Sequence, residues 1–139
     1  LEYKSSYKSL DDIKKDMRFG LVIMDQVIEH VSVNECYSLI SRLSESLTPE
    51  GFVSITVPNM AHPVRYWADC DHMTPWSFYD IYGLLRNNSL EVRKIGRFNK
   101  FSLGFGPLNH LFARKMRKVF RIDWCDSIWV LGQTKASHD

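Results

Sequence analysis

The sequence predicts an α/β fold built on a largely parallel sheet, and two observations predict it. Short apolar or alternating runs at 19–24, 52–57, 90–98 and 127–134 alternate with amphipathic segments at 32–47 and 74–88, the pattern of strand–helix repeats. The first two runs are mostly apolar and β-branched, the habit of parallel strands covered on both faces. The expected order is β-α-β-α-β-(α)-β in one domain over 1–139, with no internal repeat, low-complexity segment or linker.

Each element has a local reason. Residues 1–18 are polar, and Ser9 with Asp12 three later can cap a short helix through Lys15. The run 19–24 is apolar apart from Gly20 and reads as a buried strand. Ser32 with Glu35 forms a capping box, and Cys36, Leu39, Ile40, Leu43 and Leu47 make one apolar stripe. Thr48-Pro49-Glu50-Gly51 then reads as a turn. The strand 52–57 ends at Pro58-Asn59, and 60–74 reads as a loop or short helix. Thr74 is expected to cap the next helix with Pro75 in its first turn, since proline's missing N–H costs nothing there. Asn87-Asn88 ends it, 90–98 alternates as a strand, 101–107 is a glycine-containing loop, and 108–120 is an amphipathic helix before the last strand.

Composition narrows the function classes. In 139 residues, 45% are apolar and 24% charged, enough for one globular core. A net charge of +2 is too small to argue for nucleic acid, and no apolar run is long enough to span a membrane. Lys4, Lys8, Asp11 and Asp12 stand where a leader would be apolar, so no signal peptide is expected. Cys36, Cys70 and Cys125 are odd in number and widely spaced, which suits free thiols in a reducing cytoplasm.

The stretch LVIMDQVIEHV, followed by the capped helix, Leu47-Thr48-Pro49-Glu50-Gly51 and FVSITVPN, resembles the second half of a class I S-adenosylmethionine-dependent methyltransferase. DHMTPWSFYDIYGLL is similar to that family's segment before its fifth helix. The resemblance covers about 19–98 and makes 127–134 the final strand. It implies a partial Rossmann-like sheet, mostly parallel with an antiparallel last strand, from which the family's first three strands are missing. The family's glycine-rich donor loop has no counterpart: the one GxG, Gly104-Phe105-Gly106, follows a loop and reads as plain loop. A parallel sheet without its first half leaves a strand edge open.

The site residues follow from position and from the resemblance. Asp25 and Gln26 lie just past the carboxyl end of the first strand, where open α/β sheets bind ligands, and the family places its cofactor there. Gln26, Glu29 and His30 fall at i, i+3, i+4, one face of a helical turn. A carboxylate and an imidazole together can hold a divalent metal or take a proton from a hydroxyl; they can equally cap, pack and pair with a nearby base. The segment also resembles the small-RNA 2′-O- and ubiquinone-pathway O-methyltransferases, whose Glu-x-x-Glu-His and a later His bind ions such as Mg²⁺. Glu29, His30 and His72 match three of those positions, and Gln26 replaces the first Glu. The resemblance makes His30 and His72 the candidates for proton removal. Trp67 and Asp71 are candidates for acceptor contact; Trp76, Phe78 and Tyr79 read as pocket wall or core, with core favoured for Phe78.

The segment 107–121 stands apart as a basic amphipathic insertion. Leu108, Leu111, Phe112, Met116, Val119 and Phe120 make one face, with Arg114, Lys115, Arg117, Lys118 and Arg121 around the other. Such a helix is either a solvated face on a packed helix or a peripheral contact to an anionic membrane or phosphate-bearing ligand. The expected function is methyl transfer from S-adenosylmethionine to an oxygen of a small-molecule, glycan or lipid-linked acceptor. The alternative is an inactive methyltransferase-like module that binds a partner. Oligomeric state is open.

Overall fold

The structure, a computed structural model, describes residues 16–98, 106–120 and 122–135, without the side chains of 106–110 and 113. Its elements are β1 (Phe19–Asp25), a single 3₁₀ turn (Ile28–His30), α1 (Val33–Glu45), β2 (Leu47–Pro58), α2 (Phe78–Asn87), β3 (Leu90–Phe98), α3 (Gly106–Phe120) and β4 (Ser127–Thr134). The expected order is the observed one. The expected cap at Ser9 and Gly104-Phe105 lie outside the described residues.

The strands form one sheet in the order β1-β2-β4-β3. β1 and β2 pair in parallel, from Leu21 opposite Phe52 to Asp25 opposite Thr56. β4 runs antiparallel between β2 and β3. The first three strands therefore point the same way, and only the last is reversed, as expected. All three parallel strands end on one side of the molecule, and β4 begins there.

α1 and α2 cover one face of this sheet. Side chains two apart on the strands, Val53, Ile55 and Val57 on β2 and Ile128 and Val130 on β4, meet Ile40 of α1 and Ile81, Leu84 and Leu85 of α2 in one buried cluster. The other face differs from expectation. Leu21 is 53% and Ile23 67% exposed on β1, so this apolar strand is covered on one face only among the described residues. Its sequence is right for burial on both sides, but both described sheet-packing helices lie on the same side. Among the described residues β1 lies at one edge of the sheet.

Four boundaries depart from the sequence reading. α1 stops at Glu45, because Leu47 is taken into the sheet opposite Phe19. The expected turn at 48–51 is a bulged excursion inside β2, set between the Phe19–Leu47 and Leu21–Phe52 pairs, with Glu50 at φ 61°. Gly51 is required there: a Cβ would lie 2.8 Å from the Thr48 carbonyl. α2 starts at Phe78 rather than at Thr74-Pro75. Ser77 and Asp80 form a reciprocal capping box, whereas the Thr74 hydroxyl donates to the Val31 carbonyl at 2.8 Å. α3 begins two residues before the expected start.

The end of β2 is clasped to the start of β4 through Asn59, which is fully buried. Its amide donates to the carbonyls of Cys125 at 2.9 Å and Asp123 at 3.2 Å, and its oxygen accepts from Ala61 N–H. Cys36 and Cys125 are buried free thiols. Burial pushes both up to about 12, so neither is a nucleophile at neutral pH. No helix of the described residues is long and apolar enough to cross a membrane.

Candidate functional site

The carboxyl end of β1 changes character in two residues. Asp25 is the last strand residue, and the Gln26 N–H still donates to the Thr56 carbonyl at 2.9 Å. Gln26 then takes φ 55°, a left-handed conformation uncommon for a side chain of its kind. This turns the chain off the sheet and breaks the helical repeat assumed for 26, 29 and 30. The expectation that Gln26 shares a face with Glu29 and His30 is therefore corrected. Gln26 and Asp25 instead line an open cleft of about 470 Å³ with Ile23, Thr56, Phe98, Ser127 and Trp129. Every one of these residues belongs to the strand ends on one side of the sheet or the turn just beyond.

Glu29 and His30 follow in the 3₁₀ turn, and a second segment clamps them. Ile28 is fully buried and anchors the turn. The Trp76 indole N–H donates to the Ile28 carbonyl at 3.0 Å. The N–H groups of Met73 and Thr74 donate to the Glu29 carbonyl at 2.8 and 3.1 Å. These bonds bring a loop more than forty residues away against the turn, with His72 at its tip. The His30 and His72 rings lie 5.0 Å apart.

The two imidazoles are oriented alike. His30 Nδ1 is 3.2 Å from the Asp71 carbonyl, and His72 Nδ1 is 2.7 Å from the Tyr66 carbonyl. A carbonyl only accepts, so each Nδ1 carries its proton, and a neutral ring then leaves its Nε2 lone pair free. Backbone carbonyls hold metal-ligating histidines in this way. The Tyr66 ring also stacks on His72, with centroids 5.1 Å apart.

Glu29 sits beside them and is 1% exposed. Neither carboxylate oxygen has a hydrogen-bond partner. Burial raises its pKa above the ordinary carboxylate range; its own backbone amide and the neighbouring His30 and His72 oppose that shift without cancelling it. A buried carboxylate with two unmet oxygens is costly unless a cation or proton compensates it. One donor atom from each of Glu29, His30 and His72 falls within a common span of 4.8 Å. Two imidazole nitrogens with one carboxylate oxygen suit a divalent first-row transition ion better than Mg²⁺, so these residues could hold such an ion, Mn²⁺ included.

The remaining expected residues divide. Asp71 turns its carbonyl, not its side chain, toward the centre, by orienting His30. Trp67 is 68% exposed, edge-on to Tyr66 at 5.0 Å. Trp76 is core, as is the inner side of Phe78, while Tyr79 is exposed. Sequence reasoning missed Tyr66, Thr56, Phe98, Ser127 and Trp129. Thr56 and Trp129 lie on neighbouring strands as a register pair, which only the sheet order shows. No local signal marks Tyr66.

The fold has close relatives in shape. The structure superposes on an S-adenosylmethionine-dependent methyltransferase from Archaeoglobus fulgidus with a TM-score of 0.67 at 15% identity, over 86% of this chain and 61% of that one. An S-adenosylmethionine-dependent methyltransferase from Mesorhizobium loti gives 0.58 at 9% identity, over 84% and 62%. The magnesium protoporphyrin IX methyltransferase of Synechocystis, solved with S-adenosylmethionine bound, gives 0.55 at 13% identity, over 92% and 44%. This is the S-adenosylmethionine-dependent methyltransferase fold. The chain spans less than two thirds of the length of each of these structures. No family model and no curated protein matches the sequence. Within the methyltransferase fold, the Asp25–Gln26 cleft and the Glu29–His30–His72 cluster both lie just past the carboxyl end of β1, where α/β sheets place ligands.

Proposed function

We propose that this chain is the acceptor-side portion of an S-adenosylmethionine-dependent O-methyltransferase. The observation that carries this reading is the convergence of Glu29, His30 and His72 next to the end of β1 in a methyltransferase fold. The cleft beside it suits a nucleoside-sized ligand: it has aromatic walls in Phe98 and Trp129 and polar groups in Asp25, Gln26, Thr56 and Ser127. Asp25 and Gln26 are assigned to the donor, with the Asp25 carboxylate accepting from donor hydroxyls or ammonium. When bound, S-adenosylmethionine supplies the methyl group by displacement at its sulfonium. Among the described residues no glycine-rich loop follows a strand, so this chain contributes only part of the donor's surroundings.

His30 and His72 act on the acceptor. The Nε2 lone pair of one of them takes the proton of an acceptor hydroxyl as its oxygen takes the methyl group; that of His72 lies 3.8 Å from the Asp69 carboxylate. Fixed Nδ1 bonds hold the rings in the tautomer this needs. As the alternative use of the same Nε2 lone pairs, Glu29, His30 and His72 would hold a divalent ion, which would supply Lewis-acid polarisation of that hydroxyl in place of proton removal by the rings. Trp67 and Asp71 border the acceptor from the loop, and the acceptor is a small molecule, glycan or lipid-linked hydroxyl compound.

The test is calorimetric titration of S-adenosylhomocysteine into the full-length gene product that contains this chain. Saturable binding is expected, and Asp25→Ala is expected to weaken it about tenfold, the loss of one charge-assisted hydrogen bond. His72→Ala should leave donor affinity unchanged. Absence of binding, or equal affinity in Asp25→Ala, overturns the assignment.

A further inference from the structure

Among the described residues the apolar face of α3 is left largely uncovered. Leu111, Phe112, Val119 and Phe120 are each more than half exposed, and Met116 is partly so. Phe112, Met116 and Val119 recur at i, i+4 and i+7 and make one stripe, with Leu111 and Phe120 flanking it. A soluble helix would bury that stripe. Among the described residues its one ring contact to the rest of the protein is Phe112 with Trp124, centroids 6.3 Å apart, and Trp124 is itself partly exposed.

The charge on the helix is one-sided. Arg114 and Arg117 lie opposite the stripe, Lys118 lies next to Leu111, and Lys115 stands between Leu111 and Val119. Residues 106–120 contain no Asp or Glu. All four cations are exposed, and none is in an ion pair among the described residues. Their charge calls for an anionic partner, and the bulky apolar stripe calls for one that is apolar beneath its charged surface. An anionic lipid bilayer has both properties in that order. A nucleic-acid backbone matches the cations and leaves four exposed apolar side chains without a role.

We propose that α3 is an interfacial helix that lies on an anionic membrane surface. Leu111, Phe112, Val119 and Phe120 enter the acyl boundary, Trp124 sits at headgroup level beside them, and the cations meet lipid phosphates. Lys115 extends its stem along the apolar edge and keeps its ammonium at the phosphates. The helix is short enough to dock reversibly and does not span.

Vesicle co-sedimentation of the chain tests this, with phosphatidylglycerol in phosphatidylcholine against phosphatidylcholine alone. Binding is expected to the anionic vesicles only and to weaken with salt. Lys115→Glu with Lys118→Glu should weaken it at least about tenfold, and Phe112→Ser with Phe120→Ser should abolish it; circular dichroism confirms that each variant is folded. Hydrogen exchange supplies the second measurement, since α3 amides should gain protection on anionic vesicles. Binding to both vesicle types alike, no pelleting, or wild-type binding by either folded variant overturns the proposal. So does full protection of α3 in the absence of vesicles, which would place its stripe against the protein itself.

Discussion

Replacing Trp76 by alanine is expected to destabilise the fold by about 3–5 kcal/mol. Trp76 is 4% exposed and belongs to the central apolar cluster. It also carries the one side-chain bond that reaches the Ile28 carbonyl under the 3₁₀ turn. Alanine leaves a cavity and an unmet buried acceptor together. Against a total stability of roughly 5–15 kcal/mol, this loss is a large share. Trp76→Phe separates the two effects, because it keeps most of the ring volume and removes the donor. Its expected cost is about 1–3 kcal/mol, that of one unsatisfied buried carbonyl. Urea unfolding checks both variants. Equal midpoints for Trp76→Ala and wild type would mean that Trp76 does not hold the turn.

Glu29→Gln is expected to do the opposite. In the presence of a chelator it should stabilise the protein by about 1–3 kcal/mol at pH 7, by removing an unpaired buried charge. The pH dependence carries the sign. The folded-state pKa of Glu29 is raised above the ordinary 4.5 by burial. Below about 4.5 both states are protonated, and wild type and Glu29→Gln should be alike. As pH rises through that value the unfolded chain loses its proton first, so wild-type stability falls until the folded carboxyl also ionises. The advantage of Glu29→Gln is therefore small in acid, grows above pH 4.5 and levels off once Glu29 has titrated. Thermal unfolding between pH 4 and 8 measures it. A constant difference over that range would show that Glu29 is not held at a cost. A stabilising mutation at a buried acid is the expected sign of a residue kept for function.

How far the sequence reached depends on whether the deciding contact is local. Ser32 and Glu35 lie one turn apart, and their capping box forms as read. β4 runs from Ser127 to Thr134 because its alternation and flanking polar residues are complete within the segment. The start of α2 was read at Thr74-Pro75, and it lies instead at Phe78, capped by Ser77. It was settled by the Val31 carbonyl, forty-three residues away, which takes the Thr74 hydroxyl. Gln26 read as helical from spacing alone, and its φ of 55° comes from one more sheet bond to Thr56 before the chain turns.

The candidate site divides the same way. Glu29, His30 and His72 were identified through a family pattern, and Asp25 and Gln26 by their place after a strand. What orients them was hidden. The carbonyls of Tyr66 and Asp71 belong to a loop with no periodicity, and a backbone acceptor leaves no mark on residue identity. The exposed face of β1 was also hidden, because an apolar run states that a strand can be buried and not which elements bury it.

The proposal that Glu29, His30 and His72 together hold a divalent ion is open to the most direct test. Titration of Mn²⁺, followed by loss of the free-ion paramagnetic resonance signal, tests it on wild type, Glu29→Gln and His72→Ala. The account predicts saturable uptake of a single ion by wild type and affinity weakened by more than about tenfold in each folded variant. No uptake by wild type, or uptake by the variants equal to it, would contradict the account.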